Sequence, residues 1–178
     1  MTLIPEVKAL FKFQEYGKQT PIEGVSVHSL RRFGEDGGSM TELSRFSAGT
    51  PDAIPGFSLA QINYSTLAPG VLKAFHVHHR QTDVWFVPPE DRVVLVLVDV
   101  RAGSPTEKTA TKLMLGDGQS LLVRIPPGVA HGCRNLGTAF ARIVYMTDVR
   151  FSAEAGVTDE GRLPWDLVGA EIWEPAKE

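Results

Sequence analysis

The stretch Gly70-Val71-Leu72-Lys73-Ala74-Phe75-His76-Val77-His78-His79-Arg80-Gln81-Thr82-Asp83 decides how this chain is read. Side chains alternate along a strand with a period of two. A strand over Leu72 to His78 therefore puts His76 and His78 on one face with Leu72 and Ala74, and turns His79 to the other. A second window, Pro126-Pro127-Gly128-Val129-Ala130-His131-Gly132-Cys133-Arg134-Asn135, opens on a turn forced by Pro-Pro-Gly. That turn delivers His131 to one end of the fold. Four of the five histidines of the chain fall in these two windows.

Short apolar runs punctuated by turn residues surround them, and long helical periodicity is scarce. Strands are predicted over Gly24–Leu30, Phe57–Leu67, Val71–His78, Val84–Val87, Arg92–Arg101, Lys108–Leu115, Ser120–Ile125 and Ala139–Asp148. The run Arg92–Arg101 is nearly all β-branched or leucine, the mark of a strand buried on both faces. This spacing predicts an all-β sandwich or closed barrel. A packing helix is expected over Pro5–Tyr16, and Ser47–Gly56 reads as a loop. Trp165 and Trp173 are expected to anchor an irregular tail. The expected organisation is one domain over 1–178: an N-terminal arm to about residue 23, a barrel over 24–150 and a C-terminal segment from 151.

With 43% hydrophobic and 22% charged residues, the composition is that of an ordinary globular protein. A formal net charge of −3 gives no electrostatic basis for a nucleic-acid or membrane-surface partner. The N-terminus lacks a secretory pattern, and no run approaches the ~20 apolar residues of a membrane span. The single cysteine, Cys133, excludes an internal disulfide and fits a cytoplasmic location. Beside His131 it reads as a small buried hydrophobe. Arg31 and Arg32 read as a solvated surface pair.

Glycine, five residues, His-x-His, four residues and an acid, followed by Pro-x-Gly-x-x-His-x-x-x-Asn, resembles the two motifs of the cupins. The resemblance implies a jelly roll or small antiparallel β-barrel. It also implies a divalent metal held by His76, His78, Asp83 and His131, a set suited to Zn, Fe, Mn or Ni.

A longer resemblance runs from about Phe33 to Trp173. Gln61-x-Asn63-x-Ser65 with Gly70 to His76, Val98-Asp99-Val100-Arg101 with Ser104-Pro105-Thr106, Ile125 to Gly132, Val144-Tyr145, and Pro164-Trp165-Asp166 with Ile172-Trp173 are similar, in order, to the dTDP-4-dehydrorhamnose 3,5-epimerases. The resemblance implies proton abstraction next to a keto group of a nucleotide sugar, with His76 as base and Tyr145 as acid. It further implies Asp166 as the acid that orients the base, and Glu42, Gln61, Asn63, Lys73, Asp99 and His131 as substrate-binding residues, with Asp99 paired to His131. Family members are homodimers, so a homodimer is expected, and a conventional member needs no cofactor. A structural ion pair for Asp99 is an equally open reading, since a buried carboxylate needs a partner.

The chain departs from that family at particular positions. Asp83 stands where a lysine is found, Gly37 replaces an arginine, Lys73 replaces an arginine and His78 replaces a glutamine. A carboxylate repels a developing enolate that a lysine would stabilise. His78 and Asp83 together supply what a metal-binding cupin requires. Three functions follow: a nucleotide-sugar isomerase, a metal-dependent cupin oxygenase or isomerase, and a sugar-binding cupin without catalysis.

Overall fold

The computed structural model describes residues 3–11, 21–47, 49–154 and 157–175. Two five-stranded antiparallel sheets form a jelly roll of cupin type. The first takes the order β1 (Ser26–Ser29), β11 (Leu121–Ile125), β8 (Asp83–Phe86), β13 (Ala141–Thr147), β6 (Gln61–Leu67). The second takes the order β10 (Ala110–Gly116), β9 (Arg92–Asp99), β12 (Val129–Asn135), β7 (Leu72–His78), β14 (Glu160–Arg162). Two small hairpins lie in the chain between β1 and β6, β2 (Arg32–Glu35) with β3 (Gly38–Thr41) and β4 (Phe46–Ser47) with β5 (Thr50–Pro51).

The apolar run of β9 is buried on both faces, as its composition predicts. Val93, Leu95 and Leu97 join the core between the sheets, with Trp85, Val123 and Ile143. Val94, Val96 and Val98 point outward against Phe75, Ala130 and Trp173, so the C-terminal segment roofs that face. The outer face of the first sheet is covered by Ile54 and Phe57, which pack on Val84, Phe86, Leu122 and Met146. Three apolar layers thus clamp two sheets, and period-two alternation assigns each side chain its layer.

The strict period fails in β7. Residues His131 and Cys133 of β12 pair with His76 and Lys73, so three steps along β7 match two along β12. This bulge sends Leu72, Ala74 and Val77 outward to the Trp173 cluster, while Lys73, His76 and His78 all reach the interior cavity. His76 and His78 share a face, but not with Leu72 and Ala74. Gly132 sits against the bulge. A Cβ there would lie 2.3 Å from the Ala74 Cβ and 2.9 Å from the Trp173 ring. Only glycine fits so close an approach.

Other expectations need correction. The early helix covers only Pro5–Lys8. The rest of its predicted span to Tyr16 falls largely outside the described residues. Ser47–Gly56 is not all loop, because it contains β5. The turn at Pro127–Gly128 is present, and the residues after it, for which no strand is expected from the sequence, form β12, a central strand. Trp173 is 1% exposed and anchors the tail through an indole hydrogen bond to the Trp165 carbonyl, whereas Trp165 itself is 49% exposed. Among the described residues, no helix is long and apolar enough to cross a membrane.

Candidate active site

Between the sheets lies a cavity of about 360 Å³. Gln61, Asn63, Asp83, Trp85 and Tyr145 line it from the first sheet. Lys73, His76, His78, His131 and Glu160 line it from the second.

His76 is the group best arranged for proton chemistry. Its Nδ1 lies 3.0 Å from Glu160 Oε1. Glu160 is held in turn by Arg162 Nη2 at 2.8 Å. A carboxylate on Nδ1 fixes the tautomer that leaves Nε2 as the free lone pair. Burial lowers the His76 pKa to about 4, against the opposing pull of Glu160, and Arg162, His131 and His78 add to the lowering. Tyr145 faces the same cavity from β13. Its pKa is raised, first by burial and then by the charges of Asp83 and Glu160. The hydroxyl therefore keeps its proton through neutral pH.

A second cluster surrounds Asp83. Its Oδ2 accepts from Trp85 Nε1 at 3.1 Å and lies 3.4 Å from His131 Nε2 and 4.0 Å from His78 Nε2. Its Oδ1 accepts from the Gln81 amide at 2.6 Å. Burial disfavours the charge, but the His131 hydrogen bond and the neighbouring imidazoles outweigh it and lower the Asp83 pKa. Donor atoms of His78, Asp83 and His131 all lie within 4.8 Å of one another, close enough for a metal ion. His76 is not in that group, because it is turned to Glu160.

Gln61 and Asn63 line the cavity as expected and bond each other at 2.7 Å, while Gln61 Oε1 also accepts the Phe151 N–H. Lys73 reaches the cavity from the bulge. Three expected residues lie elsewhere. Asp99 is fully buried, and it takes hydrogen bonds from Arg101, Ser104 and Thr106. The Arg101 bonds, opposed by burial and aided by both hydroxyls, hold its carboxyl well below the usual range. It closes the turn after β9 and is not the partner of His131, whose Nδ1 bonds the Val129 carbonyl at 3.2 Å. Glu42 lines a separate shallow groove and pairs with Arg45 at 2.8 Å. Asp166 is exposed in the turn before the final 3₁₀ helix and does not line the cavity. Cys133 lines the cavity as a nearly buried thiol, and burial pushes its pKa up to about 12.

Glu160, Arg162, Gln81 and Trp85 were not read from the sequence. Asp159 was also missed. It caps the loop after β7, accepting from the Arg80 and Gln81 amides at 3.0 and 2.8 Å. The signal for Glu160 was its place in Glu-Gly-Arg, two charges at period two around a glycine.

The chain is similar to known proteins in sequence and in fold. The profile of the dTDP-4-dehydrorhamnose 3,5-epimerase family matches residues 19–166. The spore coat polysaccharide biosynthesis protein SpsL of Bacillus subtilis is 37% identical over 145 residues, 82% of this chain and 91% of that protein. A dTDP-4-dehydrorhamnose 3,5-epimerase of Streptomyces griseus is 31% identical over 136 residues, 74% of this chain and 66% of that protein. Among solved structures, a dTDP sugar isomerase of Desulfovibrio desulfuricans superposes with a TM-score of 0.69 at 28% identity, covering 87% of this chain and 91% of that one. The order of the sequence blocks, the jelly roll and these likenesses lead to one conclusion: the chain belongs to the dTDP-4-dehydrorhamnose 3,5-epimerase family.

Proposed function

We propose that the chain is an epimerase acting next to the keto group of a nucleotide-activated 4-keto sugar, with His76 as base and Tyr145 as acid. The observation that carries this reading is the His76–Glu160 pair at the cavity wall, 3.0 Å between Nδ1 and Oε1. His76 Nε2 takes the proton from the carbon next to the carbonyl, and the C–H electrons pass into the enolate. Glu160 stabilises the imidazolium so formed. Tyr145, from the opposite sheet, returns a proton to the same carbon on the other face, which inverts it. No electron is gained or lost overall. General acid and base groups of this kind contribute about a hundred- to ten-thousand-fold each. Gln61 and Asn63 are suited to sugar hydroxyls. Lys73 and Arg150, both cavity-lining cations, are suited to the diphosphate.

The same reading includes a homodimer in the cytoplasm. Ile62 and Tyr64 of β6 are 59% and 65% exposed and β6 is a sheet edge, so this edge favours a second copy. The lone, buried Cys133 is in keeping with a reducing compartment.

The test is solvent exchange. A 4-keto-6-deoxy nucleotide sugar incubated with the protein in deuterated water takes up deuterium at C3, C5 or both. His76→Asn abolishes uptake. Tyr145→Phe leaves some uptake but suppresses net inversion, because removal of the proton does not require delivery on the far face. Absence of exchange with every 4-keto nucleotide sugar tried refutes the reading.

A further inference from the structure

We propose that Asp159 is a positioning residue for the proposed base: its carboxylate clasps the loop of residues 79–82 to the start of β14 and so sets where Glu160 meets His76. The inference rests on the reading of His76 as base. It starts from how weakly β14 fixes itself. The strand is three residues long, lies at the edge of its sheet and has Gly161 at its centre, with no side chain to mark a face. Register is poorly specified in such a strand. Two adjacent carboxylates, Asp159 and Glu160, precede that glycine. A slide of one residue would put Asp159, one carbon shorter, in the place of Glu160.

The bonds of Asp159 oppose that slide. Its Oδ2 accepts the backbone N–H of Arg80 at 3.0 Å and of Gln81 at 2.8 Å, and its Oδ1 accepts Arg80 Nε at 3.2 Å. Its backbone carbonyl accepts from His78 Nδ1 at 3.3 Å. The Asp159 side chain is 8% exposed and that of Arg80 67%, so the two backbone amides are the main hold and the guanidinium is an outer contact. A clasp works only if its other half is fixed, and this loop is. The next amide, Thr82 N–H, donates at 2.7 Å to Asp148, just beyond β13, the strand that carries Tyr145. The Gln81 side-chain amide donates to Asp83 Oδ1 at 2.6 Å and lies 3.3 Å from His78 Nε2. Three successive loop amides thus end on two carboxylates, one next to the strand of the acid and one next to the partner of the base. Asp159 fastens β14 to a loop already tied to both sheets. Glu160, the next residue, is then held with Oε1 3.0 Å from His76 Nδ1.

The test has a kinetic arm and a spectroscopic arm. Asp159→Ala removes the acceptor of both amides. A hydrogen bond to a charged acceptor shifts an equilibrium by roughly tenfold to a hundredfold, so kcat for deuterium uptake should fall by about tenfold or more. KM should stay within about twofold, because Gln61, Asn63, Lys73 and Arg150 lie outside β14. Asp159→Asn keeps an oxygen for the two amides and should restore most of the loss. The double variant Asp159→Ala/Glu160→Ala should be no slower than Glu160→Ala alone, since nothing is left to position, whereas an independent structural role multiplies the two losses. In the second arm, ring ¹⁵N NMR at about pH 7, where burial keeps the His76 imidazole neutral, reads its tautomer without substrate, with His76→Asn for assignment. The parent should show Nδ1 protonated and Nε2 bare. Asp159→Ala should lose that signature, as Glu160→Ala does, and Asp159→Asn should keep it. Circular dichroism establishes that each variant is folded, and Asp159→Ser, too short for both amides, replaces Asp159→Ala if the latter is not. A kcat of Asp159→Ala within about twofold of the parent, a double variant slowed by both losses, or an unchanged His76 signature overturns the inference. Parent protein without deuterium uptake removes the epimerase reading alone, and the His76 signature then decides whether Asp159 holds Glu160 in place.

Discussion

Glu160→Gln is the substitution that examines the proposed base most directly. It preserves shape and leaves an amide oxygen to accept from His76 Nδ1, but it removes the charge. Attraction between unit charges at roughly 4 Å is worth about 1 kcal/mol in bulk water and about 4 kcal/mol at an effective dielectric of 20. His76 and Glu160 are 25% and 26% exposed, which places the pair between those limits. The imidazolium forms only as the proton is transferred, so this attraction stabilises the transition state and not the resting enzyme. Its loss lowers kcat/KM by roughly fivefold to nearly a thousandfold. Because Glu160 raises the His76 pKa, the variant's acid limb also moves to lower pH. Asp166→Asn, in an exposed turn, should alter neither quantity. The assay is the initial rate of deuterium uptake from solvent, followed by proton NMR between pH 3.5 and 9. A Glu160→Gln rate within about twofold of the parent, or an Asp166→Asn loss of equal size, refutes the assignment of the orienting carboxylate.

Other outcomes follow from the same structure. The parent's kcat/KM should fall only below about pH 4–5, because burial depresses the His76 pKa to about 4, and should hold to alkaline pH because Tyr145 is raised. An acid limb at the ordinary histidine value near 6.5 contradicts the burial argument. Since the folded-state pKa of His76 is below its unfolded value, the native chain binds fewer protons there, and its contribution to stability is lost as pH falls from 6.5 through 4. Urea midpoints across that window measure it, and His76→Asn should flatten the slope. Asp99→Ala should cost about 3 kcal/mol, the low end for removing one partner of a buried pair because Arg101 is 28% exposed, while leaving kcat/KM intact below the melting transition. A loss of activity at full folding would return Asp99 to the site. Sedimentation at micromolar concentration should give a dimer, and Tyr64→Lys on the exposed face of β6 should shift it toward monomer.

Much of this was legible in the sequence, and the failures have physical causes. Eight of the ten strands in the two sheets follow from local alternation and turn chemistry, while β12 and β14 do not, and His76, His78, Asp83, His131 and Tyr145 do meet in one cavity. The phase of β7 was misread because a bulge is a relation between two strands, and only Gly132 on the partner strand hints at it. Asp99 was misassigned because its Ser104 and Thr106 partners satisfy it locally, in a turn that resemblance alone could not separate from the cavity. Glu160 is not legible as the partner of His76 because the pairing of β14 with β7 joins positions 82 or more residues apart in sequence, from Glu160 with His78 to Arg162 with His76. Pairing at such range carries no local periodicity.

That pairing makes the proposed chemistry conditional on a very small piece of structure. β14 has three residues and forms the outer edge of its sheet, continued by the reciprocal Phe75–Leu163 backbone bonds at 3.0–3.1 Å. Its Glu160 reaches His76 diagonally, across from Arg162, and a slip of one residue would turn both charges away from the cavity. Short edge strands open with far less free energy than the core they border. Peeling of β14 would strip the base of its carboxylate while both sheets stayed intact, so catalytic competence and global folding are separate equilibria in this molecule. In mild denaturant, proton exchange into substrate should decline ahead of the tryptophan fluorescence change. The working state of the enzyme is thus a subpopulation of the folded one, and its size is set by three residues at an edge.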